Sequence, residues 1–321
     1  MLTLRLVAQV FPVALTMMSL GTSFAQDYPN RAIRIVTSGA GGGGDYSARL
    51  IAQGISGTLG QPVIVENRGG GVASGAIVAN APPDGYTLLN IGSSHWLGQF
   101  LQKQMPYDAV KDFSPVTLTV TAPYVLVVHP SLPVKSVKEL IALAKTRPGE
   151  LTYAVGSIGG PGHLAGELFK SMAGVNMVRV NYRGDGPALN SLLGGEVQLS
   201  FCTLTGVPSY IKSGRLRAVA VTSALPSALV PGLPTIAASG LPGYEMVTVL
   251  GVFVPARTPN NVINRVHQEI VRFLGTAAAR ERFLAAGFET VGSSPEGLAE
   301  TVNSEIAKFG NLLTAAANHT D

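Results

Sequence analysis

Two glycine-rich loops are the features of the sequence best suited to chemistry. The first loop (residues 39–45) lies in IRIVTSGAGGGGDYSARL, and the second loop (residues 156–162) lies in TYAVGSIGGPGHLAGEL. In each segment a β-branched run leads into glycines, and the glycines lead into a helical pattern. Such a loop presents backbone N–H groups and the positive end of a helix at the carboxyl end of a strand. Both loops are therefore predicted to bind a small anion.

The first loop also matches the spacing G-x-G-x-x-G of dinucleotide-binding proteins, between Gly39 and Gly44. Glu66 follows the next predicted strand at about the 20-residue distance of an acidic ribose ligand. A run of glycines satisfies many such patterns, so a general anion pocket is the preferred interpretation. A P-loop is excluded because no Gly-Lys-Ser/Thr follows. Asp45 is interpreted mainly as a helix cap, and a ligand contact stays open.

The sequence offers few groups for catalysis. Ser157 falls in Val-Gly-Ser-Ile-Gly, where Val155 replaces the first glycine of the esterase motif G-x-S-x-G. His163, near the start of a predicted helix, is interpreted as a structural residue in preference to a general base. Cys202 is the sole cysteine, which excludes an intrachain disulfide, and it is interpreted as a buried thiol or a cleft residue. No His, Asp and Glu set has metal-ligand spacing, so neither a metal nor a cofactor is expected.

Two further polar segments follow predicted strands. Ser93 and Ser94 offer hydroxyl groups to a cleft, and Trp96 beside them either lines that cleft or packs under the loop. Arg183, in NYRGDGP, either binds a carboxylate or is a solvated charge. These segments and the two loops would lie at the edge of the sheet where open α/β proteins bind ligands.

Short β-branched runs alternate with longer helical patterns, which predicts βαβ units, an α/β fold and a mainly parallel sheet. Because the two loops lie about one domain length apart, they predict two lobes that face each other across a cleft. Strands are predicted at 33–36, 62–65, 87–91, 116–120, 124–128, 152–155, 178–181, 197–201, 217–221 and 247–254. Helices are predicted at 46–59, 136–145, 163–172, 187–193, 260–274, 277–286 and 295–316.

The amino-terminal segment is predicted to be a secretory signal peptide, residues 1–25. Arg5 precedes a short apolar run, and Ser23 and Ala25 are small residues suited to cleavage after Ala25. An anchor helix is the alternative, but the run is short for a membrane span. The mature protein should begin near Gln26 in the periplasm.

Composition limits the function classes. The chain has 321 residues, of which 46% are hydrophobic and 13% charged, and this balance excludes a disordered protein. The net charge of +4 comes from scattered residues. Without a block of Lys and Arg, nucleic-acid binding is not expected.

Several motifs occur in an order that resembles the Bug-type substrate-binding proteins of tripartite tricarboxylate transporters. They include GGGGDYSARL, LGQPVIVENRGG, APPDGYTLL, MPYDAVKDFSPVTL, GGPGHLAGELFK, VNYRGDGPALNSLLGGEV, SGRLRAVAVTS and GLPTIAASGLPGYE. The resemblance covers nearly the whole mature chain. It implies a periplasmic binding protein type II-like fold, with two α/β lobes around a ligand cleft and no catalytic activity. It also implies a monomer that passes a small organic acid to membrane permease subunits.

The resemblance implies lobe one at 27–124 plus 251–321 and lobe two at 125–250, with hinge closure on the ligand. Carried over by motif, the ligand contacts fall on Ala40, Gly41, Gly42, Gly43, Gly44, Asp45, Ser93, Ser94, Ser157, Gly159, Gly160, Pro161, Arg183, Gly184, Asp185, Cys202 and Thr203.

The chain departs from the family pattern at four of these positions. Ala40 replaces a usual Pro, Gly44 and Gly160 replace hydroxyl residues, and Cys202 replaces a frequent Asp. The site therefore relies more on backbone N–H groups and water, and the lost carboxylate favours a ligand without an ammonium group. Two other functions stay open: a secreted enzyme that uses the loops as anion or oxyanion sites, and a ligand-sensing receptor.

Overall fold

The computed structural model describes residues 28–68, 71–100, 104–156, 160–204 and 206–318. The predicted signal peptide lies outside these residues. Within them, ten strands join in one sheet in the order β2-β1-β3-β9-β4-β7-β5-β6, and β8 and β10 pair with β4. The strands are β1 Ile33–Thr37, β2 Val63–Asn67, β3 Thr87–Gly92, β4 Phe113–Val128, β5 Thr152–Val155, β6 Val178–Asn181, β7 Leu199–Thr203, β8 Arg217–Val221, β9 Val247–Pro255 and β10 Glu289–Thr290.

The prediction of a mainly parallel sheet is wrong, because the sheet is mixed. β1 is parallel to β2 and β3, and β5 is parallel to β6 and β7, as βαβ units require. The two sets are joined by antiparallel pairs: β9 is antiparallel to both β3 and β4, and β4 is antiparallel to β7 and β8. The local βαβ pattern thus holds inside each set and fails where the two sets are joined.

β4 is one long strand, although two strands were predicted at 116–120 and 124–128. No Gly, Asn or Asp breaks the segment Thr121-Ala-Pro123, so the backbone stays extended through it. Up to Pro123 the strand pairs with β9, and from Tyr124 it pairs with β7 and β8. β4 therefore passes from one parallel set to the other. The lobe boundaries given above stay a prediction.

Helices cover both faces of the sheet. In β1, the neighbouring residues Ile35 and Val36 point to opposite faces, and both are fully buried. No helix among the described residues has the length and apolar character that a membrane span requires. The helices are α1 Gly43–Leu59, α2 Gly71–Ala79, α3 Ser94–Leu97, α4 Val137–Thr146, α5 Pro161–Ala173, α6 Asp185–Gly194, α7 Pro208–Lys212, α8 Asn260–Leu274, α9 Ala277–Ala285 and α10 Pro295–Asn318.

Most of the long helices were predicted with shifts of a few residues at their ends. α8 has the predicted bounds, and α4 has Ser136 as its N-cap, whose hydroxyl accepts the N–H of Glu139 at 3.2 Å. α2, α3 and α7 were not predicted, since each is short and none has a clear polar and apolar face. α10 packs against β4, α3 and α5. It therefore contacts a helix that follows the β1–β3 set and a helix that belongs to the β5–β7 set.

Candidate ligand-binding site

A cavity of about 230 Å³ opens at the carboxyl ends of β5 and β7, where α5 and α6 begin. Ligands of open α/β sheets bind at this edge. The described lining consists of glycine-rich backbone, apolar side chains and a few polar groups. The lining residues are Tyr124, Ala154, Val155, Gly156, Pro161, Gly162, His163, Asp185, Gly186, Ala188, Leu189, Ser200, Phe201, Cys202, Thr203, Gly206 and Val207.

The amino end of α5 forms one wall of this cavity. Gly160 is the N-cap in an extended conformation, and Pro161 takes the first helical position, where its missing N–H is not needed. Leu164 donates the first intrahelical bond to the Gly160 carbonyl at 3.0 Å, so the Gly162 N–H precedes the helical ladder. A Cβ at Gly162 would lie 2.9 Å from a carbonyl oxygen of β7. Glycine is therefore needed to bring this helix end against the strand.

The amino end of α6 forms a second wall. Its N-cap, Gly184, has a φ of 113° and a ψ of 165°, a conformation that only glycine adopts readily. The Gly184 N–H donates to the Gly156 carbonyl at 2.8 Å. A Cβ at Gly156 would lie 2.6 Å from the Asp185 backbone nitrogen and 2.7 Å from the Gly184 carbonyl carbon. Because Gly156 has no side chain, Asp185 can reach the cavity. The helix α6 begins at Asp185, two residues before the predicted start.

His163 is a buried part of the lining and is held from behind by charged residues. Burial, together with the positive charge of Arg179, lowers the pKa of His163 to about 4, so the ring is neutral at pH 7. Arg179 donates to Nε2, which puts the ring proton on Nδ1 and leaves neither nitrogen with a free lone pair. Glu167 accepts hydrogen bonds from Tyr153 and from Lys170, the latter at 3.0 Å. This arrangement suits a structural residue better than a general base.

Cys202 and Thr203 end β7 and line the cavity beside Tyr124 of β4. Cys202 is half-buried and reaches the cavity, so the cleft interpretation is the one that the geometry supports. Burial raises the pKa of its thiol to about 11, and the Asp185 charge acts in the same direction. Burial also raises the pKa of Tyr124 to about 12. Both groups are therefore neutral at pH 7.

The Asp45 side chain stabilises the conformation of the first loop. The helix α1 begins two residues before Asp45, with Gly42 as an N-cap that lacks a side-chain bond, so the interpretation of Asp45 as the cap is wrong. The carboxylate instead turns back on the loop: it accepts from the Gly41 N–H at 2.9 Å and from the Asn67 amide at 2.9 Å, and it pairs with Arg49 at 2.8 Å. Burial opposes ionisation, but these partners together lower the pKa of Asp45. A backbone cap suffices because glycine allows the chain to enter the helix directly.

The segment that carries Ser93 and Ser94 is held in place by a buried contact with α10. Ser93 is half-buried and Ser94 is exposed, at the start of α3. Trp96 is fully buried, so it packs under the loop and does not line a cleft, and its Nε1 donates to the Glu305 carboxylate at 2.8 Å. Burial raises the pKa of Glu305, while hydrogen bonds from Ser93 and Trp96 oppose that rise. Glu305 of α10 therefore fixes the backbone that carries the two serines.

The structure brings some of the predicted site residues together and leaves others apart. Pro161, Asp185, Cys202 and Thr203 line the cavity, and Gly160 and Gly184 flank it as N-caps. Arg183 is exposed and is absent from the described lining. Residues 40–45, 93 and 94 are also absent from the described lining, although 40–43 and 94 are exposed. Ser157 and Gly159 lie outside the described residues.

Several lining residues escaped prediction because their types indicate core. Tyr124, Phe201 and Val207 are apolar residues in or after strands, and nothing local separates a cavity wall from a packed interior. Ala188 and Leu189 carried a usable signal, since they lie three and four positions after Asp185 on the same helix face. Within the described residues, no group of three or more His, Cys, Asp or Glu is arranged to hold a metal ion.

The family of the chain follows from comparison with known proteins. A family model described as "Tripartite tricarboxylate transporter family receptor" matches residues 47–317. The chain belongs to this receptor family. The resemblance seen in the sequence motifs is thereby confirmed, and the receptor fold is the two-lobed, type II-like fold of periplasmic binding proteins.

Three relatives illustrate what this chain is similar to. BugT of Bordetella pertussis is 36% identical over 294 residues, which cover 90% of each chain. The structure of R. palustris Rpa4515 with adipate is 35% identical, covers 91% of this chain and 99% of the other, and has a TM-score of 0.74. MatC of Rhodopseudomonas palustris with bound malate is 28% identical, covers 89% and 100%, and has a TM-score of 0.70.

Proposed function

We propose that the chain captures a small organic acid between two lobes and delivers it to the membrane subunits of a tripartite tricarboxylate transporter. The observation that carries this proposal is the cavity at the amino end of α5, where the Gly162 N–H lies beside the carboxyl ends of β5 and β7. Such a helix end favours a carboxylate. The two solved relatives Rpa4515 and MatC, which have a similar fold, contain adipate and malate respectively.

The other half of the site is the first loop in this proposal. The residues 40–44 lead into α1 with their backbone exposed at Ala40 to Gly43, and Asp45 holds the loop in shape. Ser93 and Ser94 contribute hydroxyl groups from the next strand end. The lobes 27–124 plus 251–321 and 125–250 close on the ligand by bending at β4 and β9, which connect them.

The cellular setting is part of the same proposal. Residues 1–25 act as a signal peptide, and the mature chain begins at Gln26 in the periplasm. The protein acts as a monomer, without a cofactor and without catalysis, and its partners are the permease subunits. A solved relative is described as the periplasmic binding protein BugD.

A thermal-shift screen of organic acids tests the proposal. A ligand present at 100 times its dissociation constant adds about 2.7 kcal/mol to the free energy of unfolding. For a chain of this length we expect the melting temperature to rise by several degrees. The acid should then be recovered chemically unchanged after incubation with the protein. A flat response to mono-, di- and tricarboxylates, or turnover of the acid, would contradict the proposal.

A further inference from the structure

Asp185 is the only charged carboxylate in the described lining of the cavity. Residues 157–159 and 205, which the structure does not describe, are Ser, Ile, Gly and Thr, and none of these types carries a charge. No Lys or Arg belongs to the described lining either. The charge on the described cavity surface is therefore negative and lies at one point, the amino end of α6.

Nothing described neutralises this carboxylate. Among the described residues, no ion pair involves Asp185. Arg183 is exposed and outside the lining. Arg179 lies behind the His163 ring, to whose Nε2 it donates, so the ring stands between that guanidinium and the cavity. A carboxylate of a ligand placed beside Asp185 would meet a like charge without a compensating cation.

The position of Asp185 is fixed by the backbone around it. The positive φ of Gly184 turns the chain, its N–H is bonded to the Gly156 carbonyl, and Gly156 leaves the space that Asp185 fills. Asp185 also lies in the first turn of α6, where the helix dipole attracts a negative charge. The anion-binding capacity of α6 is thus used by the protein itself, whereas that of α5 remains for a ligand.

The rest of the cavity suits an uncharged body. Val155, Ala188, Leu189, Phe201 and Val207 supply apolar walls, and the neutral Cys202 thiol lies among them. An apolar cavity of about 150 Å³ is large enough to bind benzene. The volume here, about 230 Å³, accommodates an aromatic ring or a short alkyl chain.

We propose that Asp185 is a specificity-determining residue that restricts this receptor to acids with one carboxylate and an uncharged apolar body. The carboxylate lies at the amino ends of α1 and α5, and the body enters the cavity towards α6. An acid with a second carboxylate at its far end is excluded by Asp185. This inference rests on the proposed function, because it assumes that an organic acid is the ligand.

Calorimetry with matched acids tests the inference. The probes are hexanoate against adipate, which have the same number of carbons, and benzoate against terephthalate. In the wild-type protein we expect each monocarboxylate to bind roughly tenfold or more tighter than its dicarboxylate partner, because juxtaposed like charges are strongly unfavourable. Asp185→Asn keeps the side-chain shape and removes the charge. We expect it to raise the affinity for adipate roughly tenfold and to leave the affinity for hexanoate within about threefold.

Glu150→Gln is the matched control, since it removes one negative charge from an exposed position of the same part of the chain that does not line the cavity. It should leave both affinities unchanged. The inference is overturned if wild-type protein prefers the dicarboxylates, or if Asp185→Asn and Glu150→Gln give the same ratio of adipate to hexanoate affinity. Absence of binding by all four acids, in every variant, would also overturn this inference, whereas the proposed function fails only if the wider thermal-shift screen gives a flat response.

Discussion

Gly156→Ala is expected to destabilise the folded state and weaken the binding site at once. Gly156 directly follows β5 and packs against the start of α6. The new Cβ would lie 2.6 Å from the Asp185 backbone nitrogen and 2.7 Å from the Gly184 carbonyl carbon. Both are backbone atoms at a helix start, so relief requires a shift of α6 and not merely a rotation of a side chain.

The expected magnitude follows from the cost of overpacking. One extra carbon in a well-packed region costs about 1–3 kcal/mol when the backbone must move. The Gly184 N–H bond to the Gly156 carbonyl, 2.8 Å in the structure, should lengthen as α6 shifts. We therefore expect a loss of about 2 kcal/mol in the free energy of unfolding, and a weaker affinity for the ligand because the cavity wall formed by Ala188 and Leu189 moves with the helix.

Urea denaturation followed by circular dichroism measures the loss, with Gly186→Ala as the matched control. Gly186 lines the same cavity, but a Cβ there meets nothing within 4 Å. Because Ala is a better helix residue than Gly, Gly186→Ala should be neutral or stabilise by up to about 1 kcal/mol. Equal stability of the two variants would refute the close packing of β5 against α6.

Two further predictions concern protons and export. The folded-state pKa of His163, about 4, lies below the value of about 6.5 in the unfolded chain, so the unfolded state binds more protons between these values and stability falls as the pH is lowered from 6.5 to 4. This histidine should account for about 3 kcal/mol of the fall in the free energy of unfolding. The free energy of unfolding of His163→Gln should therefore change less between pH 6.5 and pH 4 than that of the wild type, by about this amount. Parallel pH profiles of the two proteins would contradict the burial of His163 as a neutral ring. Amino-terminal sequencing of periplasmic protein should begin at Gln26, and an intact Met1 there would contradict cleavage after Ala25.

Local patterns predicted those parts of the fold that local interactions decide. The βαβ units were found because their strands and helices have distinct periodicities, and the bounds of α8 and β8 were predicted correctly. The mixed sheet was missed because β9 pairs with β3, more than 150 residues earlier in the chain, and no local feature sets the direction of such a pairing. The same applies to β4, whose change of partners at Tyr124 depends on strands that come later in the chain.

Only those parts of the candidate site that depend on the local sequence were predicted. Glycines between a strand and a helix have a specific backbone role, so the second loop and the start of α6 could be found from the sequence. Side-chain direction is a tertiary property: Asp45 turns back onto Gly41, and Trp96 turns inward to Glu305, although both follow the same kind of strand end as Asp185. The apolar walls, such as Phe201, have the composition of a core and no local mark of a cavity.

The proposed site joins the first loop to the cavity at the start of α6, and calorimetry on one valine variant of each part tests most directly whether the two parts hold one ligand. Gly42 has a φ of −85°, and its added Cβ would meet only a carbonyl oxygen, at 3.6 Å, while Gly186 has open space, so both variants should fold. With hexanoate, or the tightest acid of the thermal screen, we expect Gly42→Val and Gly186→Val each to lower the affinity about tenfold or more, which corresponds to about 1.4 kcal/mol. If Gly42→Val binds the acid as tightly as the wild type while Gly186→Val binds it much more weakly, the proposed site is contradicted. The ligand would then be held by the second lobe alone.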